Sequence, residues 1–91
     1  MEVQVIIPNS LQKFVGGKKE LVYQAINLKD LLDTIDNDFS GFKSRICDTE
    51  GNLKGYFNVY IDGEDSRHLE GMQSKFRENS ELIIVAAVAG G

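Results

Sequence analysis

The sequence predicts an α+β domain in which four to five strands form a mixed sheet and one main helix packs across a face of that sheet. Two observations carry this prediction. Alternating or continuously apolar stretches, typical of strands, occur near both ends of the chain and after its middle. A single apolar stripe at helical spacing lies between them. The last stretch, Leu82–Val88, is the most continuously apolar, so we expect it to be a central strand.

The first third of the chain predicts two strands joined by a loop. Apolar residues alternate with their neighbours over residues 2–7, and Pro8 ends this strand because proline cannot donate to a sheet. Asn9–Gly17 is predicted to be a loop that ends in a Gly-Gly hairpin turn. Residues 20–26 then predict a second strand, antiparallel to the first.

The main helix is predicted to follow Asn27, a favoured capping residue, with Asp30 placing negative charge in its first turn. The apolar positions that define its buried face are Leu28, Leu31, Leu32, Ile35 and Phe39. This spacing predicts about three turns. The helix can cross over between the two halves of the chain, which would allow the first and last strands to pair in parallel.

The second half predicts two more strands before the last one. Gly41–Gly55 is expected to be irregular, apart from a short helical turn at Phe42–Ile46. Tyr56–Ile61 is aromatic and β-branched and predicts the third strand. Asp62-Gly63 is a turn dipeptide that leads into a short return strand. Met72–Phe76 is predicted to form a single helical turn.

Composition excludes several classes of function. The 91 residues carry a net charge of -4, which argues against a nucleic-acid binder and against docking on anionic membranes. No stretch is long enough to span a membrane, and no signal peptide is visible at the N-terminus. A single cysteine permits no intramolecular disulfide and fits a reducing compartment, so we expect a cytoplasmic protein.

Residues that could carry chemistry are better explained as structural. The stretch that begins with Asp36 and Asp38 resembles the start of a calcium-binding loop. Its acidic residues do not continue at the alternate positions that such a loop requires, so we predict no metal site. Arg45 could lower the pKa of the Cys47 thiol. No partner for catalysis accompanies the thiol, and a small half-buried side chain is the preferred interpretation of Cys47.

The end of the sequence is the strongest functional signal. We expect residues 87–91 to form a flexible tail in which Val88, Ala89 and Gly90 can pass through narrow channels and Gly91 presents a carboxylate. A frayed terminus without function is the alternative.

These features resemble the small sulfur-carrier proteins of the ThiS/MoaD type. The resemblance covers the whole chain and is strongest in Phe57–Arg67 and Ala87–Gly91. Ile7-Pro8, Gly16-Gly17 and Glu64-Asp65 make it greatest for the cysteine-pathway carriers, of the CysO type. It implies a ubiquitin-like β-grasp fold. The chain departs from the family at Ala86, where relatives commonly have proline.

The resemblance implies a protein cosubstrate rather than an enzyme. A ThiF/MoeB-type activating enzyme would use ATP to adenylate Gly91, and a sulfur donor would convert the adenylate to a thiocarboxylate. The carrier itself would bind no cofactor. The sulfur would pass to an accepting enzyme, either a cysteine synthase-like protein or the large subunit of a molybdopterin synthase. Tyr56, Phe57 and Tyr60 are candidates for a docking patch, although strand alternation prevents all three from being exposed.

Two other functions are compatible with the same sequence. A ubiquitin-like modifier would join Gly91 to lysines of other proteins, and an interaction domain of this fold would leave the tail unused. We rank the sulfur carrier first, the modifier second and the interaction domain third.

Overall fold

The computed structural model describes residues 1–87, and Val88–Gly91 lie outside the described part of the chain. The strands are β1 (Glu2–Ile6), β2 (Glu20–Gln24), β3 (Phe57–Ile61), β4 (Glu64–Asp65) and β5 (Ser80–Ala86). The helices are α1 (Asn9–Gln12), α2 (Leu28–Asp38) and α3 (Phe42–Ile46). Short 3₁₀ turns occupy Lys13–Val15, Ser66–His68 and Gly71–Gln73.

The five strands form one mixed sheet in the order β2-β1-β5-β3-β4. β1 is antiparallel to β2 and parallel to β5, and β3 is antiparallel to both β4 and β5. The apolar last strand is therefore central, as predicted. The parallel pairing of β1 with β5 is also the one that a helical crossover allows.

The predicted stripe of α2 forms the main contact with the sheet. Its four leucine and isoleucine side chains are completely buried, and Phe39 packs against the same core. The Asn27 side chain caps the helix by accepting a hydrogen bond from the Asp30 N–H at 2.8 Å. The inward-facing residues of β1, β3 and β5 belong to the same core.

The prediction of a loop at Asn9–Gly17 is wrong. α1 and the 3₁₀ turn that follows it occupy most of this range, and they bury Leu11 and Val15. Each piece is too short to show a helical period in the sequence, although the four-residue spacing of these two apolar side chains is helical. Gly16 and Gly17 end the 3₁₀ turn with positive φ angles, a conformation that glycine adopts without strain.

Smaller differences concern the second half of the chain. The helical turn expected at Met72–Phe76 lies instead at Gly71–Gln73, and Phe76 is a buried core residue. The short helix at Phe42–Ile46 is confirmed.

Cys47 is buried rather than half-buried, and burial raises the pKa of its thiol. Arg45 does not lower that pKa. Its guanidinium lies over the Phe14 ring, 4.3 Å from the centroid. The thiol is therefore a neutral core side chain.

The carboxylates near the end of α2 bind groups of this chain. Asp36 accepts hydrogen bonds from the N–H groups of Gly41 and Lys43, and Asp38 accepts one from the Tyr23 hydroxyl at 2.8 Å. Within residues 1–87, no group of three or more histidine, cysteine or acidic side chains is placed to hold a metal ion. None of the helices in the same range is long and apolar enough to cross a membrane.

Candidate functional site

The candidate site is the point where the chain leaves the central strand. The β5 ladder with β3 ends at the pair Phe57–Ala86, and the Ala87 N–H still donates to the Tyr56 carbonyl at 2.7 Å. The chain is thus held by the sheet up to Ala87. This residue was predicted to begin the flexible tail, but its backbone is paired. Val88, Ala89, Gly90 and Gly91, the other predicted tail residues, lie outside the described part of the chain.

The hydrogen-bond pattern of β5 explains why either alanine or proline is compatible with position 86. Bonded pairs alternate in an antiparallel ladder, and the N–H of Ala87 and that of Asp62 both point to the partner strand. The N–H of Ala86 therefore points away from β3. On that side β1 has already ended, because its last pair with β5 is Ile6–Ile83. Proline, which lacks this N–H, would remove no ladder bond here.

A shallow groove of about 250 Å³, which we call the exit groove, lies beside the point where the chain leaves the sheet. Its walls come from α1 and the 3₁₀ turn after it, from α3, and from the approach to β3. The lining residues are Ser10, Leu11, Lys13, Phe14, Arg45, Lys54, Tyr56, Phe57 and Ala86.

The exit groove is positively charged in a protein whose net charge is negative. Lys13, Arg45 and Lys54 line it, and none of the acidic side chains within residues 1–87 does. None of the three takes part in an ion pair among residues 1–87; Lys29, Lys43 and Arg67 form the ion pairs in that range. The groove therefore presents uncompensated positive charge.

An aromatic ring positions two of these cations. The guanidinium of Arg45 and the ammonium of Lys13 lie 4.3 Å and 5.3 Å from the centroid of the Phe14 ring. Such cation–π contacts are worth about 0.5–1 kcal/mol at exposed sites. Both charged groups are thus held against the same aromatic ring, which lines the groove.

The structure separates the three residues of the predicted docking patch. Tyr56 is 45% exposed and borders the exit groove, with its ring 4.9 Å from that of Phe57. Phe57 is only 5% exposed, so its inclusion in an exposed patch is wrong; strand alternation turns it towards the core together with Val59. Tyr60 is half-buried on the outer face of the sheet, opposite Ile83.

A polar cluster borders Tyr60 on that outer face. The Arg67 guanidinium donates to Asn58, and it forms an ion pair with Asp65 at 3.2 Å. Asp65 also accepts from the Arg67 backbone N–H at 2.8 Å. These hydrogen bonds keep the pKa of the Asp65 carboxyl below its usual value. Its charge is thus compensated, unlike the charges of the exit groove.

The cations of the exit groove were not predicted from the sequence. They come from three separate segments, which the sequence does not place together. One signal was available: the pair Leu11 and Val15 indicates a helical segment that would turn Lys13 away from the core.

Known proteins are similar to this chain in both fold and sequence. The profile of the ThiS family matches residues 5–91. Over 93 aligned positions and the full length of both chains, the sequence is 30% identical to the sulfur carrier protein CysO of Mycobacterium tuberculosis. The structure superposes with a TM-score of 0.91 on a chain of the Amycolatopsis orientalis BexX/CysO complex, at 31% identity, covering 98% of this chain and 99% of that one.

A second group of similar structures contains modifiers. The small archaeal modifier protein 1 of Methanosarcina acetivorans superposes with a TM-score of 0.83 at 27% identity, covering 99% of this chain and 96% of that one.

A mixed five-stranded sheet crossed by one main helix, with the last strand at its centre, defines a ubiquitin-like β-grasp protein. The chain belongs to the ThiS family. Its full-length similarity to CysO confirms the resemblance to the cysteine-pathway type of sulfur carrier.

Proposed function

We propose that this chain is a sulfur carrier whose Gly91 carboxylate is adenylated, converted to a thiocarboxylate and then used as a sulfur donor in cysteine synthesis. The observation that carries the proposal is the exit at Ala87: the central strand ends at Ala86, and the exposed Ala87 follows it, four residues before Gly91. The membership of the ThiS family supports it.

The proposed chemistry has two steps, both catalysed by a partner. A carboxylate is a poor electrophile, so an oxygen of Gly91 first attacks the α-phosphorus of ATP and pyrophosphate leaves. Hydrosulfide, or a donor at the same oxidation level, then attacks the acyl carbon, and the bond to AMP breaks. The product is a thiocarboxylate, AMP and a proton, with no net oxidation or reduction. The thiocarboxylate sulfur is a soft nucleophile, like a thiolate.

The folded body would serve for recognition, and the reactive groups would come from the partners. A ThiF/MoeB-type activating enzyme would bind ATP, and a cysteine synthase-like enzyme would accept the sulfur. The large subunit of a molybdopterin synthase is the other candidate acceptor. The similarity to CysO favours the first of these two.

The test is reconstitution with the activating enzyme from the same organism, ATP and sulfide, followed by intact mass spectrometry. We expect a product in which sulfur replaces one oxygen, located at Gly91 by peptide mapping. The variant Gly91→Val should load about 100-fold more slowly, because a branched side chain displaces the carboxylate from the reacting geometry.

The matched control is Glu81→Val, which places the same side chain on the exposed outer face of β5, far from the exit. It should load at the wild-type rate. Unchanged loading of Gly91→Val would refute the threading of the tail, and the absence of any loaded wild-type product would refute the sulfur carrier.

A protein modifier is the second candidate, favoured by the similarity to the archaeal modifier. Both functions begin with the same adenylate and differ in the acceptor, which is sulfur in one case and a lysine in the other. Peptides from source cells in which Gly91 is joined to lysines of other proteins would establish the modifier. A thiocarboxylate alone would favour the carrier, and neither form would favour an interaction domain.

A further inference from the structure

We propose that the exit groove is a docking surface for the activating enzyme, which presents carboxylate side chains to it at the mouth of the adenylating site. This inference rests on the proposed function and adds a location and a charge to the interface. Lys13, Arg45 and Lys54 carry the recognition, and Phe14 positions two of them.

The length of the tail limits how far the reacting centre of the partner can lie from the exit. In the proposed reaction the reacting atom belongs to Gly91, four residues after Ala87. Four extended residues span at most about 14 Å. The sheet holds the chain as far as Ala87, so the reacting centre of the partner must come within that distance of the exit. An enzyme that encloses ATP at such a distance must cover the surface around the exit, and Ala86 itself lines the groove.

The exit groove is opposite in charge to the protein as a whole. The chain has 14 acidic and 10 basic residues, yet three of the basic ones line this groove and none of the acidic ones does. Uncompensated charges of one sign in a concave surface attract a partner of the opposite sign and orient its approach. A basic partner surface would be repelled here, so the complementary surface carries carboxylates.

Two cations of the exit groove are positioned before a partner binds. Packing of Arg45 and Lys13 against the Phe14 ring restricts both side chains before any partner binds. Less side-chain freedom is then lost on binding, which lowers the cost of forming the interface. The outer face of the sheet lacks this property, because Arg67 is already paired with Asp65.

The experiment compares two charge-reversed double variants in ATP–pyrophosphate exchange with the activating enzyme of the same organism. The test variant is Lys13→Glu/Arg45→Glu; Lys54 is left unchanged because it also borders a neighbouring cavity. The control is Lys75→Glu/Arg77→Glu, with the same change in net charge at exposed positions. Lys75 and Arg77 precede the first residue of β5, so a strand about 20 Å long separates them from the exit.

At ~0.05 M NaCl we expect kcat/KM for adenylation to fall about tenfold in the test variant and less than about twofold in the control. The expected loss is moderate because a single exposed charge pair contributes little, and the test variant reverses the charge of two groups. The loss should appear in KM, with kcat unchanged. At ~0.5 M NaCl the test variant should come within about threefold of wild type, since salt screens such pairs. Recovery in salt also distinguishes lost docking from a loss of folding.

The two levels of the proposal fail differently. If wild type supports no exchange, the proposed function fails, and this inference with it. If wild type is active and the two double variants behave alike, or if the loss is independent of salt, the exit groove is not an ionic docking surface.

Zero-length cross-linking with a carbodiimide provides a test without mutation. It joins lysine amines to carboxylates that touch them. In the wild-type complex, Lys13 or Lys54 should be joined to aspartate or glutamate of the enzyme, and Lys75 should not. Cross-links from Lys75 alone, or only between carboxylates of this chain and lysines of the enzyme, would overturn the proposal.

Discussion

The two ends of β5 are built in opposite ways. Where the strand begins, polar side chains fix it to the turn after β3. Where it ends, its hydrogen bonds are backbone bonds, and the side chains at the last described positions are alanines. Side-chain hydrogen bonds thus fix the beginning of the strand, which we call the anchored end; the last described residues, Ala86 and Ala87, form what we call the release end.

The anchored end depends on Ser80 and Asp62. The Ser80 hydroxyl is buried; it accepts from the Arg77 N–H and donates to an Asp62 carboxylate oxygen, both at 2.8 Å. The other carboxylate oxygen of Asp62 accepts from the Glu81 N–H at 2.9 Å. Every polar atom in this junction that leaves water therefore finds a partner.

The release end has no comparable junction. Ala86 packs against the core, and Ala87 makes a single backbone bond to Tyr56 before the tail begins. Small side chains leave the adjacent exit groove open. The difference indicates a division of labour, in which the anchored end contributes to stability and the release end serves the presentation of the tail.

The largest expected effect on stability comes from the buried centre of β5. Leu82 is completely buried, so Leu82→Ala should lower the free energy of unfolding by about 3 kcal/mol, through lost apolar burial and the cavity left behind. Urea denaturation measures this change. The exposed Val85 on the same strand is the matched control, and Val85→Ala should cost less than about 1 kcal/mol.

The same variant also tests the division of labour. The folded fraction of Leu82→Ala should load sulfur at the wild-type rate, because the side chain faces away from any partner. Slower loading per folded molecule would mean that the core of the body contributes to transfer and that the two ends are coupled.

A smaller effect is expected from Ser80→Ala at the anchored end. The change leaves the Arg77 N–H without its acceptor and removes one donor from Asp62, which should cost about 2 kcal/mol of unfolding free energy. The control is Ser10→Ala at the rim of the exit groove, which is exposed and should change stability by less than about 0.5 kcal/mol. Equal effects of the two variants would contradict the contrast between the ends.

Much of the fold could be predicted because its strongest signals are local. The eleven-residue helix α2 carries a full apolar stripe and a capping Asn27, so its period and its beginning are both readable. The continuously apolar run of β5 indicated a central strand flanked on both sides. These elements define the core, and the prediction of the architecture followed from them.

The exit groove could not be predicted because it depends on tertiary structure. Lys13, Arg45 and Lys54 meet only after α1, α3 and the approach to β3 have packed together. The difference in exposure between Tyr56 and Phe57 likewise depends on which face of β3 meets the core. Nothing in the sequence links Ser80 to Asp62, 18 positions apart, before the strands are paired.

The smallest expected effect concerns the release end. Ala86→Pro should change the free energy of unfolding by less than about 1 kcal/mol, because the N–H that proline lacks points away from β3 and lies past the end of β1. The neighbouring Val85→Pro is the control: its N–H points into the β3 ladder, so this variant should lose about 3 kcal/mol. Urea denaturation of both variants gives the comparison.

Loading of Ala86→Pro should stay within about threefold of wild type, since the ring restricts only the first step out of the sheet. A large loss of stability in Ala86→Pro would show that the strand is anchored beyond Ile83 on its β1 side, and the release end would then begin later than Ala86.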